Sequence, residues 1–400
     1  MPQVMPKGIQ YQVSKVIRDQ GPISRAQIAR MLSLSPTTTG RLVDGLLQSG
    51  ILCEIGQMQG EGAGRPSRMV MFNSQFSSVL TVDLRLTDAY AAVADLNGHL
   101  LRAASRSLTT GEIPQSLVEL VELVGGLLQS TGGCAPVEMI VVGAPSIVDS
   151  ASGVIEWAPS LGWENVPLQA ILEDEFKLPV LIENDVNLAA LGEWWQGVGK
   201  SAAGNLVFVS LGTGIGAGIV LNGELFRGAT NASGEVAYFI TDVAILRDEA
   251  GRIGSLENRV GHDGLIRMAQ LVAQRYPTSG LADLMRLEAD RADPRRIIEL
   301  ALAGDQAARV VFNEMTDILT IVIANLAVAL DPEVIVLGGA RDWNWPALVE
   351  AIQRRIGTKL LRPVNLCPSD LQNDALILGG VYCALQHLRI FNNKEYAWQS

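Results

Sequence analysis

Apolar residues recur at helical spacing through the first fifty positions of the chain. Val13, Val16 and Ile17 form the apolar face of a helix predicted over roughly Ile9 to Gln20. A short second helix follows, with Ala26, Ile28, Ala29, Met31 and Leu32 giving it an apolar side. Ser24 is placed to cap that helix, and Gln27 completes a capping box. Ser33-Leu34 fits a tight turn. Ser35 is a second N-cap, and Pro36 suits a first helical position, where its missing N–H costs nothing. Leu42, Val43, Leu46 and Leu47 continue the helical spacing, and Gly50 suits the stop. Residues 51–58 and 69–72 then read as two strands around a polar tip with Gly60, Gly62, Gly64, Arg65, Pro66 and Arg68. This is the pattern of a winged helix-turn-helix, or of a generic helical cap with a hairpin.

In the winged reading the second helix of the pair enters the major groove. Its polar start, Ser35, Thr37, Thr38, Thr39 and Arg41, is expected to face DNA, where hydroxyls meet phosphates or base edges and Arg reads guanine. Arg65 in the wing is expected to reach the minor groove or a phosphate.

After a polar joint at 73–78, strands and helices alternate. Residues 79–84 and 89–96 read as a hairpin pair, and 139–143 and 178–183 as buried strands. Residues 205–211 read as a strand running into a glycine loop at 212–218. Residues 333–339 and 375–380 read as strand-to-glycine exits, each followed by a helix. The expectation is an α/β fold: an N-terminal winged helix-turn-helix at 1–75, then two αβ lobes around a cleft at 76–400.

Charge separates the two readings of the N-terminus. Residues 1–75 hold eight Lys and Arg against four Asp and Glu, a net +4. The whole chain is at −11, so residues 76–400 carry −15. Positive charge gathered at one end of an acidic chain fits a polyanion partner. Hydrophobic residues at 48% and 40 glycines fit a large α/β core rather than disorder. The first residues lack a signal-peptide core, and the longest apolar run, near Leu319–Leu330, is too short to span a bilayer. Cys53, Cys134, Cys367 and Cys383 lack metal-ligand spacing and read as packed thiols. A soluble cytoplasmic protein with no membrane partner is expected.

Four segments carry candidate chemistry: Ile182-Glu183-Asn184-Asp185-Val186-Asn187, the glycines of 212–218, Ser233-Gly234-Glu235-Val236-Ala237-Tyr238, and Gly254-Ser255-Leu256-Glu257. Their order and spacing resemble the ROK family (repressors, open reading frames and sugar kinases), within the actin-like ATPase fold. The resemblance covers essentially residues 76–400. With the N-terminal module it points to the repressor branch, which includes xylose and N-acetylglucosamine repressors. It implies that Asn184 and Asp185 match the family's sugar-binding pair, the Asp being catalytic base in kinase members. Glu235 and Glu257 match two further sugar-site glutamates. A carboxylate accepts two hydroxyl donors, so such a set suits a sugar ring. Pro145 and residues 158–163 resemble an upstream sugar-side loop, with Ser160 where Asn is expected. Trp163 is either an aromatic wall of that site or core packing, the latter favoured.

Two departures bear on activity. Kinase members carry Asp-x-Gly-Gly-Thr as a phosphate loop, and here the segment is Asp83-Leu84-Arg85-Leu86-Thr87. Backbone N–H groups approach phosphates where glycines allow it, so the bulk at Arg85 and Leu86 argues against productive ATP binding. Arg85 either pairs with a local acid such as Asp83 or holds the phosphate of a phosphorylated sugar. The family's zinc pattern also changes. Tyr238 stands at its His, and Asp248, Ala250 and Ser255 at its three cysteines, while His262 nearby reads as a packing or surface residue. No structural zinc and no cofactor is expected, and Tyr238 offers the sugar a hydroxyl in place of the imidazole. The resulting expectation is a non-enzymatic regulator, a repressor of carbohydrate genes. Its partners are double-stranded operator DNA, a sugar or sugar-phosphate effector and a second copy of itself. An ATP-dependent sugar kinase is the alternative, and control by a protein partner a third.

Overall fold

The computed structural model describes residues 9–58, 67–150, 152–158, 160–201, 204–212, 214–243, 256–288, 292–339, 343 and 345–387. The chain begins with α1 (Ile9–Gln20), β1 (Ile23–Ser24), α2 (Arg25–Met31), α3 (Pro36–Gln48), β2 (Leu52–Met58) and β3 (Ser67–Phe72). It continues with β4 (Ser78–Leu84), β5 (Asp88–Asp95), β6 (Leu100–Ser107), α4 (Ile113–Ser130), β7 (Val137–Ala144), β8 (Ile147–Asp149), β9 (Val154–Ala158), β10 (Trp163–Val166), α5 (Leu168–Phe176), β11 (Val180–Asn184) and α6 (Asp185–Trp195). Next come β12 (Leu206–Leu211), β13 (Ile215–Leu221), β14 (Glu224–Leu225), α7 (Glu257–Val260), α8 (His262–Arg275), α9 (Gly280–Glu288), α10 (Pro294–Leu302) and α11 (Gln306–Leu330). The last elements are β15 (Val334–Gly339), α12 (Trp345–Ile356), β16 (Leu366–Pro368) and α13 (Asp374–His387).

Two compact units emerge from the contacts. Unit 1 comprises residues 1–142, 168–181 and 381–400; unit 2 comprises 143–167 and 182–380. In unit 1 the N-terminal module has the winged layout. Ser24 and Gln27 make the full capping box at α2, and Ser35 caps α3 with Pro36 at its start. Ser33 supplies the left-handed residue of the intervening turn at φ 53°. A three-stranded sheet in the order β1-β3-β2 forms the wing base, and its tip at 59–66, with Arg65, lies outside the described residues. Val13, Ile17, Ile28, Val43, Leu46, Ile51, Val70 and Phe72 are buried as its core. Val16 is only half-buried. At the other end of unit 1's chain, the Arg18 guanidinium of α1 lies 5.8 Å from the ring centroid of the buried Tyr382 of α13, a cation–π contact.

One five-stranded sheet has the order β11-β7-β4-β5-β6, with β4, β5 and β6 antiparallel neighbours. Strand β6 escaped the sequence reading because most of it is exposed and lacks an apolar alternation. In unit 2 a second five-stranded sheet runs β14-β13-β12-β15-β16, mixing an antiparallel β12–β13 hairpin with parallel β12–β15 and β15–β16 pairs. Helix α11 is long and apolar enough to cross a membrane. Its inner face, including Val311, Met315, Leu319, Val322 and Ile323, lies in the core of unit 2 with Val207, Ile335 and Leu337.

Three sequence expectations are corrected. Residues 375–380 are not a strand but the first half of α13. A short apolar run cannot be told from a buried helix by periodicity alone. Here the glycines serve a close helix approach: a Cβ on Gly379 would fall 1.7 Å from the Leu188 carbonyl oxygen, and one on Gly192 1.9 Å from that of Ala375. Residues 212–218 are not an open loop, because from Ile215 onward they form β13. Thr39 does not face DNA. It is 1% exposed and belongs with Val43 and Leu46 to the inner face of α3, at spacings of four and three.

The Thr39 hydroxyl oxygen is buried without a hydrogen-bond partner. Thr39→Val keeps the shape and removes the unsatisfied group, so urea unfolding should show a gain of about 1 kcal/mol. A loss of stability would show that the hydroxyl is satisfied in solution.

Candidate functional site

All five expected ligand residues lie in unit 2, around β13. The strand alternates glycine with larger residues, so Gly214, Gly216 and Gly218 project to one face. That face is where other elements come close. A Cβ on Gly216 would sit 3.1 Å from Val186, one on Gly218 2.4 Å from Ala190 Cβ, and one on Gly214 2.8 Å from a Glu257 oxygen. The alternating glycines therefore seat the start of α6 and the Glu257 side chain. This is the tight strand–helix packing that such glycines serve as readily as phosphate binding.

Asn184 and Asp185 stand where β11 turns into α6. Asn184 is the N-cap: its Oδ1 accepts the Asn187 N–H at 3.0 Å, and its Nδ2 donates to the Ser146 carbonyl at 3.2 Å. One amide N–H of Asn184 is left over from these bonds. Asp185 is the first helical residue, where the positive end of the helix favours an anion, and its Oδ1 accepts the Val186 N–H at 2.8 Å.

The second group is acidic. Gly234 has φ 87°, and a Cβ there would lie 1.8 Å from the Ala217 carbonyl oxygen, so only glycine lets the chain cross β13 at this point. Glu235 follows directly, then a 3-10 turn over Val236–Tyr238. Glu257 begins α7, and its Oε2 accepts the Ile215 N–H at 3.3 Å. Burial pushes the Glu235 carboxyl above its ordinary range, and the charge of Glu257 adds to that. Burial, then Glu235, then Glu257 push the Tyr238 phenol up. The structure thus brings Glu235, Tyr238 and Glu257 within electrostatic reach of one another, and packs the start of α6, with Asn184 and Asp185, beside β13. Such a set accepts several hydroxyl protons and offers an amide donor, the chemistry of a polyol ligand.

Sequence reasoning missed two residues. Glu183, 2% exposed, receives the Arg227 Nε and a terminal guanidinium nitrogen on its Oε2 at 2.9 and 2.7 Å. A carboxylate closing a buried strand needs a partner, and Arg227 is the lone basic residue between Lys200 and Arg247. Of the upstream loop, Trp163 is core packing at 1% exposure, and the Ser160 Oγ is buried without a partner.

The 84–88 turn of unit 1 is filled by its own charges. Arg85 Nε donates to Asp83 at 2.6 Å, a terminal nitrogen lies 3.7 Å from Asp88, and the guanidinium sits over Tyr90. The ion-pair alternative for Arg85 is the one observed. Zinc fits no better: a phenol at 238 and Asp248, Ala250 and Ser255 lack the thiolates and imidazole of such a site. The last three lie outside the described residues, and among the described residues no three candidate ligands cluster. His262 opens α8.

On the module, Ser35, Thr37 and Arg41 are exposed along α3, while Thr38 is half-buried and its hydroxyl bonds Ser35 at 2.7 Å. Asp44 on the same helix is paired with Arg25 at 2.7 Å, which offsets an acid that would otherwise repel phosphate.

The ROK family model matches residues 79–387. The chain belongs to the ROK family. It is 30% identical over 392 residues to a putative xylose repressor of Caldicellulosiruptor sp. (strain Rt8B.4), covering 95% of this chain and 96% of that protein. Among solved structures, a ROK family transcriptional regulator, a homolog of the E. coli MLC protein, matches 96% of this chain and 98% of that one. Its TM-score is 0.82 at 23% identity, a likeness of fold. A ROK family glucokinase from Streptomyces griseus, in complex with glucose and AMPPNP, is 26% identical with a TM-score of 0.67, covering 78% of this chain and all of that one. The sugar-kinase-like, actin-like fold of the family is thus the fold of this chain beyond its N-terminal module.

The charge on Glu235 destabilises the fold above its raised pKa and is relieved as pH falls through that value, because the native state then binds more protons than the unfolded one. Glu235→Gln should raise Tm modestly at neutral pH, with the gain vanishing toward pH 4. A lower Tm at pH 7 would show instead that the carboxylate is stabilising.

Proposed function

We propose that this ROK chain is a sugar-responsive transcriptional repressor. Residues 1–75 read DNA and residues 76–400 sense the sugar. The observation that carries this reading is coverage. The likeness to a putative xylose repressor runs through the N-terminal module, whereas the glucokinase likeness covers 78% of the chain. The basic, winged module supplies the output. Thr37, Arg41 and Ser35 on the outer side of α3 contact DNA, with Thr38 in support and Arg65 of the wing adding a contact. Asn184, Asp185, Glu235, Tyr238 and Glu257 bind the hydroxyls of the sugar. Two copies place two recognition helices on two half-sites. The protein acts in the cytoplasm, with its DNA.

A kinase is the second reading, favoured by the intact Asn184–Asp185 pair. Against it stands the 84–88 turn, where a phosphate would meet the Asp83 and Asp88 carboxylates rather than a row of backbone N–H groups. Asp185 then serves as a sugar ligand, with no proton transfer to complete.

The reading is tested on DNA recovered by cross-linking the protein in its cells. Purified protein should bind that DNA, and D-xylose or D-glucose should weaken binding by about 5–150-fold, the usual range of allosteric coupling. Arg41→Ala should abolish the specific part of the binding. Steady ADP release with either sugar, and no recovered DNA, would favour the kinase.

A further inference from the structure

The Glu183–Arg227 pair lies outside the proposed sugar-contacting set, yet it bonds Asn184 of that set and, through the Arg227 carbonyl, Ser233, two residues before Glu235. The Glu183 side chain is 3% exposed and that of Arg227 33%. All four contacts of the carboxylate are specific. Oε2 takes two Arg227 donors, at 2.9 and 2.7 Å. Oε1 takes the Asn184 N–H and the Asn187 side-chain amide, both at 3.0 Å. Asn184 is the cap of α6 and the neighbour of Asp185 in sequence, so this one carboxylate braces the start of that helix.

From Arg227 the chain returns on itself. The Arg227 carbonyl accepts the Ser233 N–H at 3.1 Å, and Gly228, at φ 74°, lets the loop close against Ser233. The Gly234 carbonyl then accepts the Ala217 N–H at 2.8 Å, and Glu235 is the next residue. The loop leading to Glu235 is therefore tied at Arg227 to Glu183, next to the cap of α6, and at Gly234 to β13. A buried ion pair is weak evidence for stability, since desolvation offsets most of its attraction. Two donors on one oxygen do fix orientation.

We propose that Glu183 and Arg227 form a positioning clamp that holds the 227–235 loop, and with it Glu235, in register with Asn184–Asp185 for ligand binding. This rests on the sugar-sensor reading for its ligand, but the geometry of the clamp is testable without one.

Arg227→Lys keeps the charge and loses the two-pronged geometry. In the full-length protein, hydrogen exchange at residues 228–238 should become at least about tenfold faster while Tm stays near wild type. Calorimetric affinity for D-xylose or D-glucose should fall about tenfold, as a displaced binding group implies. Glu183→Gln, which keeps the volume and the bonds to Asn184 and Asn187, should do the same and serves should the lysine variant fail to fold. Combining Arg227→Lys with Glu235→Gln should cost less affinity than the two changes summed, because both act through Glu235. Unchanged exchange at 228–238 in a folded variant overturns the clamp. So does faster exchange with wild-type sugar affinity. If the wild-type protein binds neither sugar, the sensor reading fails with these ligands, and the exchange result still decides the clamp.

Discussion

Helix α6 lies closer to its neighbours than side chains normally permit, and the placement of Asn184 and Asp185 depends on that closeness. On one side, Gly216 and Gly218 of β13 leave room for Val186 and Ala190. On the other, Gly192 and Gly379 let α6 and α13 approach backbone to backbone. Buried carboxylates hold both ends. Glu183 braces the cap of the helix, and Glu193, fully buried in its last turn, accepts Ser369 Oγ and the N–H groups of Leu371 and Val198. With every acceptor engaged, these buried charges specify one arrangement and leave little freedom at Asn184 and Asp185.

Against that rigid helix the acidic group is set at an electrostatic cost. Burial raises the cost of the Glu235 carboxylate, and the nearby Glu257 adds to it. On the proposed reading, the hydroxyl donors of a sugar relieve that cost. The 84–88 turn has satisfied its charges internally through Arg85, Asp83 and Asp88.

What could be read in the sequence was local. The caps at Ser24 and Ser35, the helices and strands of the N-terminal module and half of the sixteen described strands depend on neighbours a few residues away. The hydroxyl of Thr39 suggests a DNA contact, but its spacing to Val43 and Leu46 places it on the inner face of α3. Residues 375–380 were misread because Leu376, Ile377 and two glycines suit a strand exit as well as a helix crossing. Only the position of Leu188 on α6 decides between them. The Glu183–Arg227 pair spans 44 positions, and no local rule joins its members.

The central claim is that sugar in unit 2 and DNA on the N-terminal module are linked, and linkage is reciprocal. The most direct measurement is the calorimetric affinity for the sugar with and without saturating target DNA. Saturating DNA should weaken sugar binding by the same factor by which sugar weakens DNA binding. Equal sugar affinity in the two states would contradict it.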